Sequence, residues 1–298
     1  MSQTILVTGA SGGFGRLTVA TLLARGHRVI ATLRDPQGRN AAHARSLADA
    51  GAIVVEMDVS NDASVEAGIA AALERTGGRL DAVVNNAGVG VYGVQECFTS
   101  ADWQRLFDIN VFGVARVNRT ALPHLRARGG GLLVHVSSLL GRVVMPFYGP
   151  YNASKWALEA LAENYRIELA PLGIDCAIVE PGGYNTEFSG NLMHPGDPAR
   201  ADAYGDFGKQ PEAALKGFLA WVAATPAQNP QRVADAIADL VDLPAGQRPF
   251  RTEVDFLGMA EAIRPYNEHL ETVHRGLFGN MRLGALLDRN PAHKESAP

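Results

Sequence analysis

Tyr151 and Lys155 stand four residues apart in Tyr151-Asn152-Ala153-Ser154-Lys155, within a stretch of helical periodicity. On a helix, four residues advance by about 6 Å and return to the same face, so the phenol and the ammonium converge. A cation beside a phenol stabilises phenolate and draws the tyrosine pKa below its usual value of about 10, which makes proton exchange feasible near neutral pH. Tyr148 is an internal contrast, because Asn152 stands where its lysine would be. Ser138, at the end of an apolar run in Ser137-Ser138-Leu139-Leu140-Gly141, offers a hydroxyl to hold a carbonyl oxygen against the phenol. Asn110, within Asp108-Ile109-Asn110-Val111-Phe112-Gly113, sits in a helical pattern where an amide is a mediocre helix former. It is expected to bend that helix and hold a water connected to Lys155. Each feature alone reads as packing or a turn; the combination reads as a proton-transfer site.

Such a site needs rigid elements to position it. Short apolar runs at Thr4–Thr8, His27–Leu33, Ala52–Met57, Leu80–Val84, Gly131–Val136 and Ile174–Val179 read as strands. Between them, 14–24, 39–50, 61–76, 103–128 and 151–170 carry helical patterns, the last stopped by Pro171 and Gly173. This alternation demands crossover connections, so the expected fold is α/β: a doubly wound parallel sheet with helices on both faces, as a single domain over 1–298. Ligands of such sheets lie beyond the carboxyl ends of the strands, where the winding reverses. Prolines and glycines break the rhythm at about 188–230, which reads as an insertion folding over the site as a lid. A helix at 231–242, an edge strand at Arg248–Asp255 and a helical extension at about 256–290 complete the expectation.

The loop after the first strand runs Thr8-Gly9-Ala10-Ser11-Gly12-Gly13-Phe14-Gly15. A glycine turn leading into a helix lets backbone approach a pyrophosphate and presents free N–H groups to it. Gly9, Ser11, Gly13, Phe14 and Gly15 are therefore candidate dinucleotide-binding positions. At the end of the second strand, an acidic side chain would accept from a ribose diol and a basic one would favour a 2′-phosphate. Leu33 can do neither, and Arg34 follows, so NADP is preferred with NAD possible; Asp35 complicates the choice, and both can be solvated turn residues. Asp58 and Val59 end the third strand, where the carboxylate can accept from an adenine amino group or cap the next helix. Asn86, Ala87 and Gly88, in Asn85-Asn86-Ala87-Gly88, end the fourth.

Composition excludes other classes. The 298 residues are 47% hydrophobic and 19% charged, enough to bury a sizeable core. The net charge of −4 gives no footprint for nucleic acid or anionic lipid. Cys97 and Cys176 have no metal-ligand spacing, no metal site is expected, and buried thiols in a reducing compartment are the plain reading. No run of apolar residues reaches bilayer length, and no signal sequence is evident, so a cytoplasmic location is expected.

The sequence resembles the short-chain dehydrogenases/reductases, a Rossmann-type family. TGASGGFG resembles its cofactor turn, NNAG its fourth-strand motif, and Asn110, Ser138, Tyr151 and Lys155 its catalytic tetrad, in order from residue 4 to about 188. The stretch from Gly149 to Gly182 is similar to hydroxysteroid and retinol dehydrogenase-like members, which suggests a lipophilic alcohol or ketone substrate. The resemblance implies that Tyr151 exchanges a proton with the substrate oxygen and Ser138 orients it. It also implies that Lys155 tunes the phenol and binds the nicotinamide ribose beside Tyr151, and that Asn110 completes a relay. Pro181, Gly182 and Thr186, in EPGGYNTEF, resemble the segment over the nicotinamide. Gly12 stands where some NADP-using relatives carry a basic residue, and the tail is longer than usual. A homodimer or homotetramer through the helices at 103–128 and 151–170 is implied. Phe147, Tyr148, Tyr184, Phe188 and Met193 are expected to line an apolar pocket. The competing reading is a catalytically silent NAD(P)-binding redox-sensing regulator.

Overall fold

The computed structural model describes residues 2–287. Six strands, β1 (Thr4–Val7), β2 (Arg28–Leu33), β3 (Ile53–Glu56), β4 (Ala82–Asn85), β5 (Gly131–Val136) and β6 (Ile174–Pro181), are joined by β7 (Arg251–Val254). They form one parallel sheet in the order β3-β2-β1-β4-β5-β6-β7. The chain winds outward from β1 to β3, then returns to place β4 on the other side of β1. The crevice between the ends of β1 and β4 is thus the switch point of the fold.

Strand side chains alternate between faces, and two cores result. Ile5, Val7, Leu132 and Val134 face one side, packed with Val19 and Leu22 of α1 (Gly13–Ala24), Leu47 of α2 (Ala41–Asp49) and Ile237 of α9 (Gln231–Asp242). Leu6, Val83 and Leu133 face the other, against Ile69 of α3 (Asp62–Thr76), Val117 and Leu125 of α5 (Gly113–Ala127) and Ala162 of α6 (Gly149–Leu169). Near-continuous apolar strands are what burial on both faces requires. The expected doubly wound fold is observed.

The helix expected over 103–128 is broken in a particular way. α4 (Ser100–Phe107) starts earlier, behind a reciprocal cap in which Thr99 and Asp102 satisfy each other's backbone. A π-helical turn at Asp108–Phe112 separates it from α5. The cause is Asn110, whose amide leaves the helix surface to bond both ways with the Val89 backbone at 2.9 Å. The segment 188–230 forms α7 (Pro198–Ala203) and α8 (Gln210–Ala223). β7 is shorter than the expected Arg248–Asp255. α10 (Met259–Asn280) ends before 290, the positions 288–290 of that expectation lying outside the described residues. No described helix is long and apolar enough to cross a membrane.

His135 on β5 is fully buried, stacked on Tyr165 at 6.3 Å, and burial pushes its pKa down to about 3 from 6.5. The unfolded chain binds a proton there between pH 6.5 and 3 and the native state does not, so stability is lost as pH falls through that window. Urea midpoints at pH 7 and 4 should therefore fall further for the wild type than for His135→Gln, by an amount equivalent to about 3 kcal/mol. Parallel pH profiles for the two proteins would remove His135 as the cause.

Candidate active site

The turn after β1 is built around absent side chains. A Cβ on Gly15 would fall on the Gly9 carbonyl and the Asn86 amide, and Gly9 itself has a φ of +67° with the Ala87 Cα 2.8 Å from where its Cβ would lie. Thr8 then joins this turn to the loop after β4: its hydroxyl accepts from the N–H groups of Asn86 and Ala87, both at 3.0 Å. Asn86 Nδ2 returns the contact by donating to the Thr8 and Gly9 carbonyls at 2.8 and 3.1 Å. The two strand-end loops at the switch point are thereby one hydrogen-bonded unit, with the N-terminus of α1 opening above it.

A cavity of about 720 Å³ lies there. Gly9, Ser11, Gly13 and Phe14 line one end, with Arg34, Asp58, Val59, Asn86, Ala87 and Gly88 alongside. Ser138, Tyr151 and Lys155 line the other end, below Pro181, Gly182 and Thr186. Gly15 and Asn110 do not border the space. Gly15 packs beneath the turn, and Asn110 stands behind Gly88, with its Nδ2 also donating to Ser154 at 3.1 Å. Both donors of that amide are committed, to Val89 and to Ser154.

The basic end holds more than Arg34. Arg39 also borders the cavity, and both guanidiniums favour the charged form of Asp58. Asp35, at a φ of +47°, accepts from the N–H groups of Gly38 and Arg39 at 3.0 and 2.9 Å, so its carboxylate is spent inside its own turn. Arg39 was not legible because it lies six residues beyond the strand end; the Asp35 turn folds it back. Asp58 accepts from the backbone and hydroxyl of Ser60, at 3.0 and 2.7 Å.

At the other end the expected acidification of Tyr151 is not what the geometry gives. The phenol is buried and its pKa is pushed up, with the Ser138 hydroxyl acting in the opposite direction. The Lys155 ammonium lies 5.6 Å from the phenol ring and donates to the Val136 carbonyl at 2.9 Å; burial lowers its pKa to about 8. Desolvation therefore dominates at the phenol, and the resting pair is a neutral tyrosine beside an ammonium held with little to spare. The helical spacing does bring both groups to one face and one cavity.

Phe147, Tyr148, Tyr184, Phe188 and Met193 all line the space, as do Tyr92 and Phe218. Phe147 holds a φ of +69°, strained for a side chain of its size. The segment after β6 reaches both ends of the cavity. Glu187 accepts from the Gly13 N–H at 3.0 Å, on the first residue of α1, while the neighbouring Phe188 ring lies 6.0 Å from Tyr151. Cys97 and Cys176 are buried free thiols, and among the described residues no group of His, Cys, Asp or Glu is placed to hold a metal.

Comparison with known proteins gives the same outline. The family profile described as short chain dehydrogenase matches residues 3–195. Human retinol dehydrogenase 8 is 34% identical over 300 residues, covering 94% of this chain and 92% of its own. Human 17-beta-hydroxysteroid dehydrogenase type 1 is 33% identical over 304 residues, covering 94% and 88%. The crystal structure of a short chain dehydrogenase/reductase from Burkholderia phymatum in complex with NAD superposes with a TM-score of 0.72 at 27% identity, over all of this chain and 97% of that one.

The packing of the glycine turn predicts that Gly15→Ala weakens dinucleotide binding at least about tenfold in a fluorescence titration, since each misplaced 1.4 kcal/mol is a factor of ten. Gly12→Ala, whose Cβ would meet nothing nearer than 3.8 Å, should bind as the wild type does. Equal affinities for the two variants would show that the turn does not set the site.

Proposed function

The chain belongs to the short-chain dehydrogenase family and is an oxidoreductase acting on CH–OH groups; on that premise we propose that it interconverts a lipophilic ketone and secondary alcohol, prefers NADP, and uses Tyr151 as general acid and base. The observation that carries this reading is that Ser138, Tyr151 and Lys155 share one cavity with the N-terminus of α1. A dinucleotide fits the residues present, since Gly9 and Gly15 leave no room for a Cβ in the turn and the N-terminus of α1 opens on the cavity. When bound, it supplies the hydride.

This chain's own groups do the rest. Ser138 holds the substrate oxygen near the phenol, and Tyr151, kept protonated by burial, gives that oxygen its proton during reduction. Lys155 spends one N–H on Val136 and keeps two, for the ribose and for the phenolate left behind. Asn110 contributes by clamping Val89 and placing Gly88 against Lys155. A silent regulator would have no use for this complete set.

Arg34 and Arg39 support the NADP preference, because the competing acceptor Asp35 is consumed by its turn. A wall of Tyr92, Phe147, Tyr148, Phe188 and Met193 supports a lipophilic substrate, in keeping with relatives named for retinol and hydroxysteroids. The segment 188–230 serves as the lid over that wall. Phe112 and Trp156, exposed on the α5 and α6 side, support pairing of two copies there.

Tyr151→Phe should lower kcat by about 10² to 10⁴, the usual worth of a positioned acid, while the dissociation constant for NADPH stays within about twofold. Turnover near the wild-type level would remove the phenol from the chemistry. In the same assays, the double variant Arg34→Ala/Arg39→Ala should lose at least about tenfold in affinity for NADPH and little for NADH, as two charge-assisted contacts imply. A parallel loss for both cofactors would sink the NADP preference.

A further inference from the structure

Lys155 has a neighbour that the proton-transfer site does not use. Glu159 follows one turn later on α6, 1% exposed, and the missing side chain of Gly141 lets it pack close: a Cβ there would meet Glu159 Cγ at 2.9 Å and the Lys155 carbonyl at 3.2 Å. A buried carboxylate persists only when it is paired. Arg251, from β7, donates through Nε to Glu159 at 3.1 Å and through Nη2 to Glu163, and its Nε lies 3.2 Å from Glu180 as an ion pair. Arg142 faces Glu159 at 3.8 Å. Beyond them, Asn267 of α10 donates to Glu180 and to Glu253, both at 2.8 Å, and accepts from Arg142 at 3.0 Å. His274 approaches Glu163 at 3.6 Å and Arg264 approaches Glu253 at 3.8 Å.

We propose that Glu159 is a positioning residue for Lys155: its carboxylate, held in the core by Arg251, is the counter-charge that keeps the ammonium over the reacting end of the cavity. The inference rests on the catalytic reading of Lys155 given above. The surroundings leave Glu159 alone in that role. On α6 the other near group is the neutral Tyr151; from β5 come His135, which burial keeps neutral, and the Val136 carbonyl; from the π-helical turn comes the Asn110 amide. Glu159 favours the charged form of Lys155 against the desolvation that opposes it. Burial also pushes Glu159 and Glu180 upward, and Glu180 reaches about 8. Glu159 faces two guanidiniums and Glu180 shares one, so the charged form is favoured more at Glu159 than at Glu180.

The chain has four lysines, Lys155, Lys209, Lys216 and Lys294, which makes their side-chain ammonium signals resolvable by NMR with nitrogen-15 lysine. The Lys155 signal, assigned with Lys155→Met, is followed through a pH titration in the full chain, beside pH profiles of kcat and KM. In Glu159→Gln the Lys155 midpoint should fall by about one pH unit, the low end for loss of an adjacent opposite charge. The alkaline limb of kcat should follow it down, with KM little changed. Glu159→Asp should restore the midpoint, and Glu163→Gln, which removes a partner of Arg251 but lies a further turn away, should leave it in place. An unmoved midpoint in Glu159→Gln overturns the proposal, as does an equal fall in Glu163→Gln. A midpoint that moves while the kcat profile stays fixed upholds the pairing and instead removes Lys155 from the chemistry. Should Glu159→Gln fail to fold, Arg251→Lys, which keeps the charge but cannot reach all three carboxylates through a planar fork, should lower the midpoint in the same direction; a midpoint unchanged there also overturns it.

Discussion

Keeping an ammonium charged in a dry core is the constraint on which this structure depends. Desolvation works against the charge of a buried lysine, and among the described residues the direct acceptor of Lys155 is the Val136 carbonyl. The remaining compensation comes from a distance, through charges that have to be compensated in turn. Glu159 needs Arg251, Arg251 draws in Glu163 and Glu180, and Glu180 needs the amide of Asn267. A site of three side chains is thereby tied to β7 and α10.

Topology explains why this works at one end of the sheet. In a parallel sheet all the strand ends that carry loops of one kind point the same way, so the ends of β1, β4, β5 and β6 converge without long connections. The cofactor cradle is made from the first pair and the proton-transfer groups from the second. Thr8 and Asn86 lock the first pair by reciprocal hydrogen bonds, and Lys155 ties α6 to the end of β5 by reaching Val136. The cavity therefore lies where these strand-end loops meet, with apolar side chains along one wall.

Much of this was legible in the sequence because it is local. Tyr151 and Lys155 meet by helical repeat, the glycine turn follows from residue types that only a close approach explains, and alternating apolar runs specify the parallel sheet. What was not legible depends on pairing across long separations or on burial. The acidified phenol expected from the Tyr–Lys spacing fails because spacing carries no information about desolvation, which is the larger effect here. Asn110 was expected to bend its helix, and the π-helical turn does so; that its amide is spent on Val89, 21 residues away, could not be read from its neighbours. Arg39 enters the cavity only because Asp35 folds a turn at positive φ. The carboxylate network behind α6 joins residues from 142 to 267, and no local pattern announces it.

The segment after β6 shows how the two ends of the cavity are linked. Its Thr186 lies against Gly13, the next residue Glu187 accepts from the Gly13 N–H, and Phe188 covers Tyr151. A phosphate seated on the α1 N-terminus and the Glu187 carboxylate call on the same donor and the same end of the helix dipole, so the two anions compete for one place. Three consecutive residues thus run from the cradle to the apolar cover of the phenol.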